Sequence, residues 1–228
     1  MWRRLCWASQ TSQLKDNPAN ASIDVANYVV NSDGLVVLKS CLSLSCERPI
    51  AYVNQNGSNN VKIGDVNPDY TFGFANTVRA GGFTLYGLLD GTRGGNIYNF
   101  TANWMFQDAR HFKIDQFGKA EKHAVDYYQS GLYNGLEPNS FFVEDGSYVK
   151  LRELSLSYNF AQSFVRALPF MRTGQSLKVA LIGRNLKTWT NYTGFDPEAS
   201  SNGDFNFRID GFRYPSFRQI TGQIEIGF

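Results

Sequence analysis

The stretch Gln219-Ile220-Thr221-Gly222-Gln223-Ile224-Glu225-Ile226-Gly227-Phe228 alternates without a fault. Ile220, Gly222, Ile224, Ile226 and Phe228 take one side of an extended chain, and Gln219, Thr221, Gln223, Glu225 and Gly227 take the other. Successive strand side chains point to opposite faces, so this is a strand with one apolar, uncharged face and one polar face. A soluble sandwich would alternate in the same way, with its apolar face inward. The last residue argues for a membrane barrel instead: Phe228 sits on the apolar face with no polar tail after it.

The same period recurs upstream. Tyr70, Phe72, Phe74 and Val78 alternate with Thr71, Gly73, Ala75 and Thr77, and a tight turn follows at Arg79-Ala80-Gly81-Gly82. Phe83, Leu85, Gly87 and Leu89 alternate with Thr84, Tyr86, Leu88 and Asp90. Gly94-Gly95 leaves open whether that strand runs on to Ile97 and Asn99. Tyr148 to Phe160 is a strand that sets Leu154, Leu156, Tyr158 and Phe160 against Glu153, Ser155, Ser157 and Asn159. Leu177, Val179 and Leu181 open another. Residues 101–140 read as a long loop with room for a short helix. Residues 20–55 hold one or two short strands, and residues 1–19 show no period and read as disordered or as a scar of truncation.

Connection lengths alternate. Working back from Phe228 they are long (186–216), medium (161–176), long (101–147) and short (79–82). Outer-membrane barrels have short periplasmic turns and longer external loops. This parity places the C-terminus, 161–176 and 79–82 on the periplasmic side, and 53–69, 101–147 and 186–216 outside.

Composition agrees. Charged residues are 18% of the 228, against about 25% in soluble domains. Aromatics reach 15%, with 18 Phe and 12 Tyr, residues that favour pleated strands. A net charge of +2 with no basic run beyond Arg3-Arg4 gives no nucleic-acid footprint. No stretch of about 18 apolar residues exists to form a membrane helix, a test that strands escape. Met1 to Trp7 is too short for a signal peptide, so Met1 is expected not to be the natural start.

Four segments stand in order along the chain: Gly64-Asp65-Val66-Asn67-Pro68-Asp69-Tyr70; Phe142 to Arg152 (FVEDGSYVKLR) with Leu154, Leu156 and Tyr158; Asn185-Leu186 with Asn191 to Glu198 (NYTGFDPE); and Tyr214-Pro215 before the last strand. Together they resemble the SusC/RagA family of TonB-dependent nutrient receptors. The resemblance covers roughly residues 60–228; residues 1–50 match nothing in the family, and its plug and TonB box are missing. It implies an all-β fold: an antiparallel transmembrane β-barrel segment, the C-terminal strands of a large barrel of the 22-stranded class, incomplete in this chain. Residues 1–55 form a poorly defined N-terminal segment and 56–228 the barrel part with its long extracellular loops. The implied function is TonB-coupled import of a large nutrient, glycan or peptide, across the bacterial outer membrane. The implied partners are the TonB complex, reached through the missing plug, a SusD-like surface lipoprotein as lid, outer-membrane lipid, and the barrel-assembly machinery, which would read Phe228, Ile226 and Ile224 as its signal. The alternative is a secreted soluble β-sandwich that binds carbohydrate.

Chemistry-bearing residues give little. His111 and His123, twelve apart, fit no metal spacing and read as loop surface. Glu144-Asp145 and Asp196-Pro197-Glu198 are paired carboxylates, better explained by Asx-turns and solvated loops. Gly91-Thr92-Arg93-Gly94-Gly95 lacks the Lys and helix start of a phosphate loop. No catalytic residue, metal ligand or cofactor is expected. Cys41 and Cys46 either close a small disulfide or remain free thiols. The aromatics Trp189, Tyr192, Phe195, Phe205, Phe207, Phe212, Tyr214 and Phe217 are girdle, loop packing or ligand contacts; Trp189, Tyr192 and Phe195 are the candidates for the last.

Overall fold

The computed structural model describes residues 2–133, 138–169, 174–198 and 208–228. In chain order its strands are β1 Trp2–Leu5, β2 Tyr28–Val30, β3 Val36–Leu38, β4 Asn60–Gly64, β5 Pro68–Ala80, β6 Phe83–Gly94, β7 Asn96–Asn99, β8 Val143–Asp145, β9 Tyr148–Asn159, β10 Ser176–Thr190, β11 Ile209–Asp210 and β12 Gln219–Gly227. Two short helices, α1 Phe100–Gln107 and α2 Gln162–Ala167, complete the main elements.

The chain forms two compact units, and they interleave along the sequence. One comprises 68–94, 146–191 and 215–228; the other comprises 1–67, 95–145 and 192–214. This differs from a cut at residue 55. The first 67 residues share a unit with the two long connections, because those three stretches supply one another's core.

The first unit is an antiparallel sheet in the order β12-β10-β9-β6-β5. Its register sorts side chains into rows. One row is Ala80, Phe83, Tyr158, Val179 and Ile224; the next is Val78, Leu85, Leu156, Leu181 and Gly222; the third is Asn76, Gly87, Leu154, Gly183 and Ile220. The intervening rows are Arg79, Thr84, Ser157, Ala180, Gln223 and Thr77, Tyr86, Ser155, Ile182, Thr221. The apolar face predicted on single strands therefore continues across five of them, with Asn76 the one polar side chain in these three rows. It is not covered: Leu156 is 48% and Ile224 73% exposed. A sandwich would bury this face against a second sheet. An open apolar face of this extent needs a non-aqueous partner, and lipid meets that need.

The opposite face carries the charge. Arg184 Nε donates to Glu153 Oε2 at 2.9 Å, Arg152 Nε to Asp90 Oδ1 at 2.8 Å, and Lys178 Nζ lies 3.4 Å from Glu225 Oε2. Aromatics gather at both ends of the strands. Phe83 and Tyr158 (4.5 Å), Tyr158 and Phe160 (4.9 Å), and Phe160 and Phe164 (4.8 Å) mark the end holding the Gly81-Gly82 turn. Tyr70, Phe72 and Trp189 mark the other, as interfacial girdles do.

Local chemistry sets the strand limits. Gly81 turns the β5–β6 hairpin at φ +55, a conformation that costs glycine nothing. Gly94 and Gly95, both at φ +76, end β6, so Ile97 and Asn99 belong to β7 in a different sheet. β9 gains one residue against β6 at Arg152, which moves Val149 and Leu151 onto the same face as Leu154 and Leu156 despite opposite parity. β10 bulges at Asn185-Leu186, with Asn185 at φ +51, and then pairs again through Thr190. The expected loop beginning at 186 therefore starts later, after Thr190. Asn185 and Lys187 interrupt the alternation and hide the last third of the strand.

The second unit holds the molecule's core. Leu35, Val37, Tyr98, Ala102, Phe106, Tyr127, Tyr128, Leu132 and Phe142 form the main cluster, and Ala8, Leu14 and Val36 a smaller one. Among the described residues, the buried apolar side chains all lie here except Val165 of α2. β1 pairs with β4, β2 with β3, and β7 lies between β11 and β8. Residues 1–19, expected to be disordered, are thus built in: Ala8 and Leu14 pack in the smaller cluster. Cys41 and Cys46 are joined as a disulfide, and Cys6 is free.

Candidate functional site

In the second unit, Asn99, Thr101, Ala102, Met105, His111, Phe112, Thr193, Gly194, Phe195 and Asp210 line a cleft of about 170 Å³. It is built from the ends of β7 and β11, the first turn of α1, and the 192–198 segment. Asn99 begins the helix: its Oδ1 accepts from the Ala102 N–H at 2.9 Å, satisfying a donor that the first turn leaves free. Its amide donates to Glu144 Oε1 at 2.9 Å. Glu144 also accepts from the Thr193 hydroxyl and the Thr193 N–H, both at 2.8 Å. One carboxylate so ties β7, β8 and the 192–198 segment together. The sequence offered Glu144 only as a solvated acid, because its partners lie 45 and 49 residues away.

The far wall rests on Asp210. Its Oδ2 accepts from the Tyr192 hydroxyl at 2.6 Å and its Oδ1 from the Thr101 hydroxyl at 3.3 Å. Burial, with the adjacent Asp210 carboxylate, pushes the Tyr192 phenol far above its ordinary value. It stays protonated and donating at any physiological pH. Removing it with Tyr192→Phe leaves a buried carboxylate one donor short. We expect a loss of about 1.5–3 kcal/mol in local stability, the cost of a broken charge-assisted bond. Limited proteolysis of the 192–214 segment should accelerate accordingly, with β-sheet assembly unchanged.

Both histidines are buried rather than on a loop surface: His111 is 8% and His123 5% exposed. The His111 ring packs on Phe106 and Phe112 at 4.7 and 4.5 Å, and its Nδ1 accepts from the Lys113 N–H. Burial, then the nearby Lys113 charge, pushes it down to about 4 from 6.5, while Glu144 opposes the shift. A depressed histidine disfavours protons in the folded state. Its contribution is intact above pH 6.5 and is lost as pH falls toward about 4. Thermal melting of the second unit should show acid destabilisation across that window, flattened in His111→Gln.

The three ligand-contact candidates separate. Trp189 lies on β10 in the row of Val149, Gly91 and Phe72, on the lipid-type face. Tyr192 is a buried support for Asp210. Phe195 is 83% exposed at the cleft mouth. Phe212, Tyr214 and Phe217 are exposed, and Phe205 and Phe207 lie outside the described residues. Asp196 Oδ1 accepts from the Glu198 N–H at 3.0 Å, the Asx-turn that its sequence suggested. Ile224, Ile226 and Phe228 are all exposed on the apolar side of β12 or just past it. The cleft pairs an apolar floor with hydroxyl and amide groups already committed to one another.

Five strands with one uncovered apolar face, one charged face and aromatic ends define the class: a segment of an antiparallel transmembrane β-barrel. No family model matches the chain. Curated relatives narrow it. TonB-dependent receptor P3 of Formosa agariphila is 32% identical over 174 residues, 73% of this chain and 17% of the relative. TonB-dependent receptor P26 of the same organism is 30% identical over 184 residues, 74% and 18% respectively. Among solved structures, the RagAB peptide importer in its 'open-open' state matches with a TM-score of 0.55 at 18% identity, covering 89% of this chain and 22% of that one. The RagAB peptide transporter matches at 0.51 and 23% identity, covering 87% and 20%. The chain is a barrel segment of the TonB-dependent receptor family. It spans 17–18% of the length of these two curated relatives.

Proposed function

We propose that this chain forms barrel wall and external loops of an outer-membrane importer driven through the TonB complex, carrying a large nutrient of glycan or peptide class. The observation that carries the reading is the in-register apolar face running from Val78 to Gly222 and left open to its surroundings. The secreted carbohydrate-binding sandwich is disfavoured by the same face, since it would need a covering sheet. In this reading the charged face with Glu153, Arg184 and Lys178 lines the lumen, and the C-terminus, α2 and the Gly81-Gly82 turn are periplasmic. The connections 53–69, 101–147 and 186–216 are external. A SusD-like lipoprotein covers them, and Phe195 at the cleft mouth meets cargo or that lid. Trp189 belongs to the outer girdle. The barrel-assembly machinery reads Ile224, Ile226 and Phe228.

The test is uptake by cells carrying the intact receptor. Growth on the cognate oligomer should require both the receptor and TonB, and a SusD-like lipoprotein should co-purify in detergent. Phe195→Ala should lower uptake with the assembled amount unchanged. Growth indifferent to TonB, or recovery of the receptor as a soluble periplasmic protein, would overturn the proposal.

A further inference from the structure

Away from the cleft, within the second unit, His123 is enclosed by three carboxylates, Glu121 two residues before it and Asp33 and Glu47 from a distant part of the chain. Its Nδ1 lies 2.9 Å from Glu47 Oε2. Its Nε2 faces Ser32 Oγ at 3.0 Å, Glu121 Oε1 at 3.4 Å and Asp33 Oδ2 at 3.9 Å. The His123 and Glu47 side chains are 1% and 0% exposed. We propose that this cluster is a binding site for a divalent first-row cation of the zinc class, held by Nε2 of His123 and the carboxylates of Glu121 and Asp33, with Ser32 Oγ or a water completing it.

Tautomer comes first. Glu47 is fixed as an acceptor: its Oε1 takes the Asn31 amide at 3.0 Å and its Oε2 the Ser43 N–H at 2.9 Å. A carboxylate so held draws the ring proton to Nδ1 and leaves the Nε2 lone pair facing the other two acids. A carboxylate behind the far nitrogen is the arrangement that orients metal-binding histidines and raises their basicity. The ring is further fixed by stacking on Tyr127 at 4.5 Å and 20°.

Charge comes second. Three carboxylates face one imidazole, and among the described residues no Lys or Arg pairs with Asp33, Glu47 or Glu121. Asp33 Oδ2 is shut off from water and accepts no hydrogen bond. A buried anionic oxygen without a donor is costly unless a cation supplies its partner. Glu121 Oε1 accepts from the Ser32 N–H at 2.7 Å, which holds it beside Nε2 and leaves its other oxygen uncommitted.

Geometry comes third. Zinc bonds of about 2.0–2.2 Å at tetrahedral angles put neighbouring ligand atoms roughly 3.3–3.6 Å apart. The 3.4 Å from Nε2 to Glu121 already fits, and ligand atoms of Glu47, Glu121 and His123 lie within 4.8 Å of one another, whereas Asp33, 3.9 Å from Nε2, has to move inward to join them. One nitrogen and two carboxylates suit zinc. Calcium prefers six to eight oxygens, so a site centred on an imidazole disfavours it. Bound there, the ion would cross-link the 32–33 turn to the 121–123 segment, with Glu47 as its support.

The probe is Zn²⁺ itself, on the full-length receptor in detergent after chelator treatment and dialysis. Elemental analysis should find one tightly held equivalent that His123→Gln and Glu121→Gln each lose. Glu47→Gln, which only orients the ring, should weaken binding by about 10–100-fold. Heat-modifiable mobility checks that each variant is assembled. Should a variant fail to assemble, zinc-edge X-ray absorption on the wild type decides, with imidazole scattering expected. Wild-type receptor that retains no stoichiometric zinc, zinc retained equally by assembled His123→Gln, or an absorption spectrum without imidazole would each overturn the site.

Discussion

Ile224→Arg should impair receptor assembly, while Gln223→Arg, one residue away, should be nearly silent. The two positions differ only in the face they occupy. Ile224 shares its row with Val179, Tyr158 and Phe83 and is 73% exposed on the apolar side. Gln223 shares its row with Ala180, Ser157, Thr84 and Arg79. A guanidinium on the lipid-facing side costs roughly 2–4 kcal/mol at the midplane and about 0–1 kcal/mol at the interface; this row lies toward the Phe83–Tyr158 aromatic end, so a cost of about 1–2 kcal/mol, about a decade in the assembly equilibrium, is expected. On the polar face the same group meets water and Glu225, two residues along the same side, and its cost should fall within about 0.5 kcal/mol, as for ordinary surface changes. The fraction of heat-modifiable receptor in outer-membrane preparations reads the difference. Equal tolerance of the two would refute the assigned facing.

The 228-residue chain expressed by itself should not yield a stable monomer. Among the described residues, β5 and β12 each pair on one side only, so the sheet ends in two open edges. In lipid every unpaired backbone N–H and C=O on those edges costs several kcal/mol. In water the apolar face, with Ile220, Ile224, Leu181 and Leu156, is exposed instead. Five strands fall short of the eight of the smallest common barrels, so closure cannot rescue either case. Long open edges also recruit other chains. The expected product is aggregate or degraded protein, whereas the same segment within the whole receptor should be stable. A compact, heat-modifiable monomer of the isolated chain would contradict this.

How much of this was legible beforehand depends on range. β5, β6, β9 and β12 were readable because their period-2 pattern is carried by adjacent residues. The Asn185-Leu186 bulge breaks that pattern in β10 and hides its last third. The second unit was nearly invisible. Its core joins Leu35, Tyr98, Tyr127 and Phe142, and no local period links residues that far apart. Resemblance supplied the receptor kind and the four conserved-looking segments of this one sequence, but it missed what those segments do. Glu144 of the FVEDGSY stretch is a three-way anchor for Asn99 and Thr193. Tyr192 of the NYTGFDPE stretch props Asp210, whereas its neighbour Phe195 is presented outward. The His123 cluster could not be found by spacing, since its acids lie 76 and 90 residues upstream as well as two.

The central claim is that β12 and its neighbours present one face to lipid and the other to water. Spin labels placed singly at 219 through 226 of the full-length receptor in bilayers test it directly. Collision with lipid-soluble oxygen should peak at 220, 222, 224 and 226, and collision with a water-soluble nickel complex at 219, 221, 223 and 225. An inverted pattern, or accessibility to nickel at every position, would contradict the account.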